Sequence, residues 1–161
     1  PGGCCEFPAA AWLRGKLYVT GGKVRTVEAA SEYFRCLVWD SSRPGDGWRR
    51  VANLHVGRSC HAAAALGGRL YVLGGRHGDL TSHLASVERY DPDADAWETV
   101  ADMGAERQCP AAAALGDKMA QCGRGNMDSH GPGGRAVDKT TAIEGWRKAR
   151  KRVGVTSTSR L

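Results

Sequence analysis

Three short stretches of this 161-residue chain place reactive side chains close together. Ser59-Cys60-His61 sets a thiol beside an imidazole, the pairing that activates a nucleophile. Asp91, Asp93 and Asp95 alternate along one turn, with Asp102 at the twelfth place, in the outline of a calcium loop. Gly74-Gly75-Arg76-His77-Gly78 is glycine-rich, as phosphate-cradling loops are. Each outline fails on a detail. Consecutive strand residues point to opposite faces, so Cys60 and His61 are not expected to meet. The aspartate series has Ala96 where a calcium loop needs glycine, Pro92 stiffens its start, and its last ligand is not glutamate, so it reads as a turn. The glycine stretch lacks the Gly-Lys-Ser/Thr of a phosphate loop and reads as a strand end. The cysteines at 4, 5, 36, 60, 109 and 122 show no C-x-x-C spacing, so no zinc is expected. No metal, no cofactor and no catalytic residue is assigned.

The elements around these residues repeat. Leu66-Gly67-Gly68-Arg69-Leu70-Tyr71-Val72-Leu73-Gly74-Gly75 reads as a hairpin turn, a buried strand and a sharp stop. The same string occurs 53 residues earlier as Leu13-Arg14-Gly15-Lys16-Leu17-Tyr18-Val19-Thr20-Gly21-Gly22. A weaker copy lies 49 residues later, from Leu115 to Arg124. A period near 50 marks a repeat architecture. Before each copy stands an alanine-rich run: Ala9-Ala10-Ala11-Trp12, Ala62 to Ala65, and Ala111 to Ala114. Alanine favours helix, but five or six residues before a glycine turn are too few for one. The expectation is a strand packed where neighbours crowd. A third strand is expected over Ser86–Asp91, with Tyr33–Asp40 as its counterpart, and a fourth starts at Trp48 or Trp97. Each of those tryptophans stands 18 residues before the next Leu-X-Gly turn, so length varies only in the loops. Four short strands per unit, joined by tight turns, describe one propeller blade. Cys109 matches Cys60 in the next repeat and is expected to be a small buried packing residue.

Ala52-Asn53-Leu54-His55-Val56-Gly57-Arg58, the Leu66–Gly75 string, Ser86-Val87-Glu88-Arg89-Tyr90-Asp91-Pro92, Trp97 and Ala101–Arg107 together resemble Kelch repeats, most closely those of the Kelch-like (BTB–Kelch) family. The resemblance implies an all-β, incomplete Kelch-type β-propeller of about two blades and part of a third. The repeats are expected over residues 1–119, with blades at about 8–53 and 58–103 and a partial blade at about 107–122. Gly21, Gly22, Gly74 and Gly75 are its structural glycines. The third copy degrades to Ala120, Gln121 and Arg124, and residues 123–161 are expected to be a divergent, disordered tail from another exon or a decayed repeat.

The resemblance further implies a protein-binding module that performs no reaction, the substrate-recognition part of a cullin-based ubiquitin ligase. Cullin would engage through a BTB domain outside this chain. Kelch proteins that act as actin-binding or cytoskeletal scaffolds, or as propeller enzymes, are the alternatives. In the Kelch-like family partners meet the loops after Gly-Gly and those before each first strand, which here implies Arg58, Ser59, Arg76, His77, His83 and Arg107. Arg58 and Arg107 recur at matching places and either brace their blades or offer guanidiniums to an acidic peptide.

The net charge of +6 resides in the tail, since residues 1–134 hold 15 basic and 15 acidic side chains and residues 135–161 hold 8 and 2. Thr141 to Val153 could form a basic amphipathic helix, though a solvated tail is the simpler reading. Nucleic acid is therefore not expected as a partner apart from this tail, and membrane is not expected at all. The first eleven residues have no basic head or apolar run, so no signal peptide is expected, and with the unpaired cysteine pattern this suggests a cytoplasmic or nuclear setting.

Overall fold

A computed structural model describes residues 5–24, 34–77 and 82–125 of the chain. The expected tail after Gly125 and the amphipathic segment within it lie outside the described residues. The regular structure described is β, with a 3-10 turn at Pro44–Asp46. In chain order the strands are β1 Cys5–Glu6, β2 Ala9–Leu13, β3 Lys16–Thr20, β4 Lys23–Val24, β5 Cys36–Asp40 and β6 Trp48–Val51. They continue with β7 Ala62–Leu66, β8 Arg69–Leu73, β9 Val87–Asp91, β10 Ala96–Val100, β11 Arg107–Leu115 and β12 Lys118–Gly125.

Two four-stranded antiparallel meanders, β2-β3-β5-β6 and β7-β8-β9-β10, stand beside the hairpin β11-β12. The alanine runs are strands, as expected from their length. The first strands β2, β7 and β11 pack side by side, which forces small side chains onto them. Turn chemistry sets the register. Arg14-Gly15 and Gly67-Gly68 take left-handed angles at both central positions, the requirement of a two-residue hairpin turn. Ala62 then faces Leu73, and Leu66 faces Arg69.

The core lies between sheets. Strand alternation sends Leu70 and Val72 to one face of β8 and Tyr71 and Leu73 to the other. Leu70, Val72, Tyr90 and Trp97 pack against Leu13, Tyr18 and Val38 of the first sheet. Tyr71, Leu73 and Val87 pack with Met103 and Met119 on the side of β11 and β12. Sheets stacked face to face around shared cores are the construction of a propeller. The Tyr18 and Tyr90 rings meet across the first interface with centroids 5.7 Å apart. Trp97 Nε1 donates to the Ala52 carbonyl at 2.9 Å. Asp95, at φ 47, accepts from the Tyr90 hydroxyl at 2.7 Å and from the Ala52 amide at 2.8 Å. The aspartate series is thus a turn and a blade-to-blade clasp, in which the Asp93 amide also bonds the Asp91 carboxylate.

The twin glycines end their strands for a reason visible in the geometry. Gly74 and Gly75 sit at φ 60 and 95, and Gly21 and Gly22 at 58 and 91. A Cβ on Gly75 would stand 2.5 Å from the Ser59 carbonyl oxygen. The third copy offers Gly123-Arg124 at this place, and there the chain runs on as strand, with Arg124 facing Gln108 and Gly125 facing Arg107. A β-bulge between Gln108 and Ala111 absorbs Pro110, which has no amide to give the ladder.

Candidate functional site

The residues implied as a partner-binding set fall around one end of the second sheet, with Arg58 and Ser59 buried. Ser59 and Arg76 exchange two backbone hydrogen bonds, at 3.0 and 2.8 Å, and Arg76 bridges onward to His83. The Gly75 amide donates to the Arg107 carbonyl at 2.9 Å, and the Arg107 amide to Leu84 at 3.1 Å. His77 is fastened at both ends, its amide to Ser82 at 3.0 Å and its Nδ1 to the Gly57 carbonyl at 2.6 Å. The close backbone approach at Gly75 draws the post-glycine loop, the approach to β7 and the start of β11 together. Arg76, His77, His83 and Arg107 therefore share a rim, on which His77 is exposed and the other three half-buried, whereas Ser59, expected among them, is buried and joins it only through its backbone bonds to Arg76.

Arg58 does not belong to that rim, and the alternative of a guanidinium offered to a partner is corrected here. Its side chain is fully buried and paired to Glu88 at 2.7 Å. Nη1 also donates to the Gly74 and Ser86 carbonyls at 2.9 and 3.0 Å, and Nη2 to Ser86 Oγ at 3.1 Å. Glu88 completes its own shell by accepting from the His55 and Val56 amides at 2.8 and 3.1 Å. Every charged oxygen and nitrogen that burial has stripped of water is thus answered by a partner, the condition under which a buried pair persists. Glu88 is the residue that sequence reading missed. Its alternation with Val87 placed it beside Tyr90 on a core-facing row, and a carboxylate there demands a cation.

Cys60 and His61 point apart as expected, but not by strand alternation: both precede β7, and Cys60 holds a left-handed backbone at φ 51. His61 is buried and shares a 2.8 Å hydrogen bond between its Nε2 and Thr20 Oγ1 of the first sheet. Burial, with the Arg58 charge adding to it, pulls its pKa down to about 3, so the ring is neutral at ordinary pH. Cys60 turns instead toward Cys109. That residue is exposed, not the buried packing residue expected: Cys60 has β11 beside it, whereas among the described residues no further first strand stands beside β11. Among the described residues no group of three or more His, Cys, Asp or Glu is placed to hold a metal ion.

The structural repeat extends to individual hydrogen bonds. Gly22 donates to Arg58 O at 2.9 Å as Gly75 donates to Arg107 O, and Gly21 donates to Arg35 O at 2.8 Å as Gly74 donates to Ser86 O at 3.1 Å. Leu54 to Phe34 and Met103 to Ala85 form a third matching pair.

Comparison with known proteins agrees with this geometry. Residues 57–104 match the Kelch motif family model. The chain is 39% identical over 87 residues to mouse Kelch-like protein 35, a match covering 54% of the chain and 13% of that protein. It is 38% identical over 85 residues to human Kelch-like protein 33, covering 53% and 15%. Beta-scruin of Limulus polyphemus is 38% identical over 85 residues, covering 52% and 9%. The chain thus spans only a small part of the length of these relatives. Among solved structures, one described as "Structure of YjhT" superposes with a TM-score of 0.63 at 16% identity, over 75% of this chain and 44% of that one.

Proposed function

The chain is a Kelch-repeat protein, and on that premise we propose that it binds a protein partner through the rim formed by Arg76, His77, His83 and Arg107. The observation that carries this reading is the convergence of three separate segments on one end of the second sheet, cross-braced by the Gly75–Arg107 hydrogen bond. Loops held by a rigid sheet are where recognition resides in such folds. Two guanidiniums with two imidazoles favour an acidic peptide, since Arg offers paired donors in a plane that matches a carboxylate. The rim holds this role with no reaction attached.

The similarity to Kelch-like proteins supports a finer reading, in which the chain is the client-recognition part of a cullin-based ubiquitin ligase. The cullin contact would then belong to a BTB domain outside this chain. The binding reading is tested with randomised peptide arrays, acidic against neutral, probed with the 161-residue chain and with an Arg76→Glu, Arg107→Glu variant. Preferential capture of acidic peptides, weakened about tenfold or more by the variant (~1.4 kcal/mol), is expected. Equal binding by both proteins would remove the rim from the interface. The ligase reading is tested separately, by whether the longer protein recovers a cullin together with a rim-dependent client.

A further inference from the structure

Cys60 and Cys109 stand at matching places in consecutive repeats, just ahead of their alanine strands. Both hold the left-handed backbone that side chains rarely adopt, at φ 51 and 46, and Phe7 holds it in the first repeat at φ 57. The Cys60 amide donates to the Phe7 carbonyl at 3.1 Å, and the Cys109 amide to the Cys60 carbonyl at 2.9 Å. One hydrogen-bonded thread thus steps from sheet to sheet, with a thiol at two of its three positions. Standard bond lengths combined with that 2.9 Å contact hold the two cysteine Cα atoms within about 6.8 Å, inside the range a disulfide spans. The side chains follow the backbones, for the Cys109 thiol lies near enough to add to the burial that raises the Cys60 pKa. Cys109 is exposed and Cys60 half-buried, so a small reagent reaches the pair from the Cys109 side. Cys36 is different: it is buried, donates to the Phe34 carbonyl, and its pKa is pushed up to about 12 by burial, which keeps it an unreactive thiol.

We propose that Cys60 and Cys109 are a dithiol redox site, closed to a disulfide between neighbouring blades by exchange with a small-molecule disulfide such as glutathione disulfide. The Cys109 thiolate attacks one sulfur of the reagent. A Cys109–glutathione bond forms, the reagent's own S–S bond breaks, and one glutathione leaves as thiolate. Cys60 gives up its proton and attacks the Cys109 sulfur, forming the Cys60–Cys109 bond and releasing the second glutathione. Two protein thiols are oxidised, one glutathione disulfide is reduced to two thiols, and the two protons pass to those thiols. The product ties the entry of β7 to the entry of β11.

The test equilibrates the full chain in glutathione buffers of rising oxidised fraction, quenches with acid, alkylates free thiols and digests with trypsin. Cleavage after arginine and lysine isolates Cys60 in peptide 59–69, Cys109 in 108–118 and Cys122 in 119–124. The expected product is 59–69 joined to 108–118, reversed by dithiothreitol, lost in Cys109→Ser and kept in Cys122→Ser. The unsubstituted protein supplies a control that does not depend on a variant folding. In unfolding urea the yield of this linked pair falls by about tenfold or more, because native proximity supplies the effective concentration. Equal yield in urea, glutathione capping of Cys109 with no link, or a predominant Cys109–Cys122 link would each overturn the proposal.

Discussion

Replacing Glu88 by glutamine removes one charge and changes almost no volume, so it isolates the electrostatics of the buried pair. Glu88 accepts three hydrogen bonds, from the amides of His55 and Val56 and from Arg58 Nη2. Glutamine keeps one oxygen and turns an NH2 group toward a donor, so at least one of those bonds becomes a donor–donor contact. Arg58 stays buried with its charge no longer compensated. Breaking a buried pair in this way costs about 3–5 kcal/mol, against a total stability of about 5–15 kcal/mol for a typical domain. The assay is urea unfolding followed by tryptophan emission in Glu88→Gln, Arg58→Leu and the combined Arg58→Leu, Glu88→Gln variant. Each single variant is expected to lower the midpoint sharply. The combined variant should lose less than the two singles together, with a coupling of about 1–3 kcal/mol. A Glu88→Gln midpoint within about 0.5 kcal/mol of the parent would place the pair with ordinary surface substitutions and refute the brace.

The other predictions test separate contacts. Since the folded pKa of His61 lies near 3, below the 6.5 of an unfolded histidine, protonation favours the unfolded chain. This contribution is complete above pH 6.5 and declines as the pH falls toward 3, with about 2 kcal/mol gone at pH 5. Urea midpoints at pH 8 and pH 5 should differ by that amount more for the parent than for His61→Gln, and the same pH response in both proteins would dismiss the assignment. Gly75→Ala must place a Cβ against the Ser59 carbonyl at φ 95, whereas Gly67→Ala at φ 57 meets nothing within 4 Å. The first should cost about 2–4 kcal/mol and the second about 1 kcal/mol, so equal losses on thermal or urea unfolding would contradict the close approach at Gly75.

Much of the architecture was legible in the chain. The Leu-X-Gly turns set two hairpins because glycine at positive φ costs little, and the period of alternation then fixed which residues share a face. The short alanine runs could be read as strands from length alone. Part of the candidate rim could be read too, since Arg76, His77 and His83 follow a Gly-Gly stop and Arg107 precedes an alanine run. Arg58 could not be resolved in the same way. It resembles Arg107 in spacing and neighbours, and only the position of Glu88 on a strand 30 residues away turns it inward. Cys109 was misjudged for a related reason: its exposure depends on which strands stand beside β11, and no local pattern records that.

By itself, the sequence determined the strands, their turns and the two faces of each sheet, because these follow from local backbone preference and a period of two. Which face is buried was decided by the neighbouring sheet. Trp12, Leu17, Trp39 and Trp48 fall in one cross-strand row of the first sheet, as Ala65, Leu70, Tyr90 and Trp97 do in the second. Trp97 lies against the first sheet and is 6% exposed, whereas Trp48, at the equivalent place, is 49% exposed. The two tryptophans have the same spacing to the next turn. They differ in whether another sheet among the described residues stands over them, because burial is a property of two surfaces and a sequence pattern describes only one.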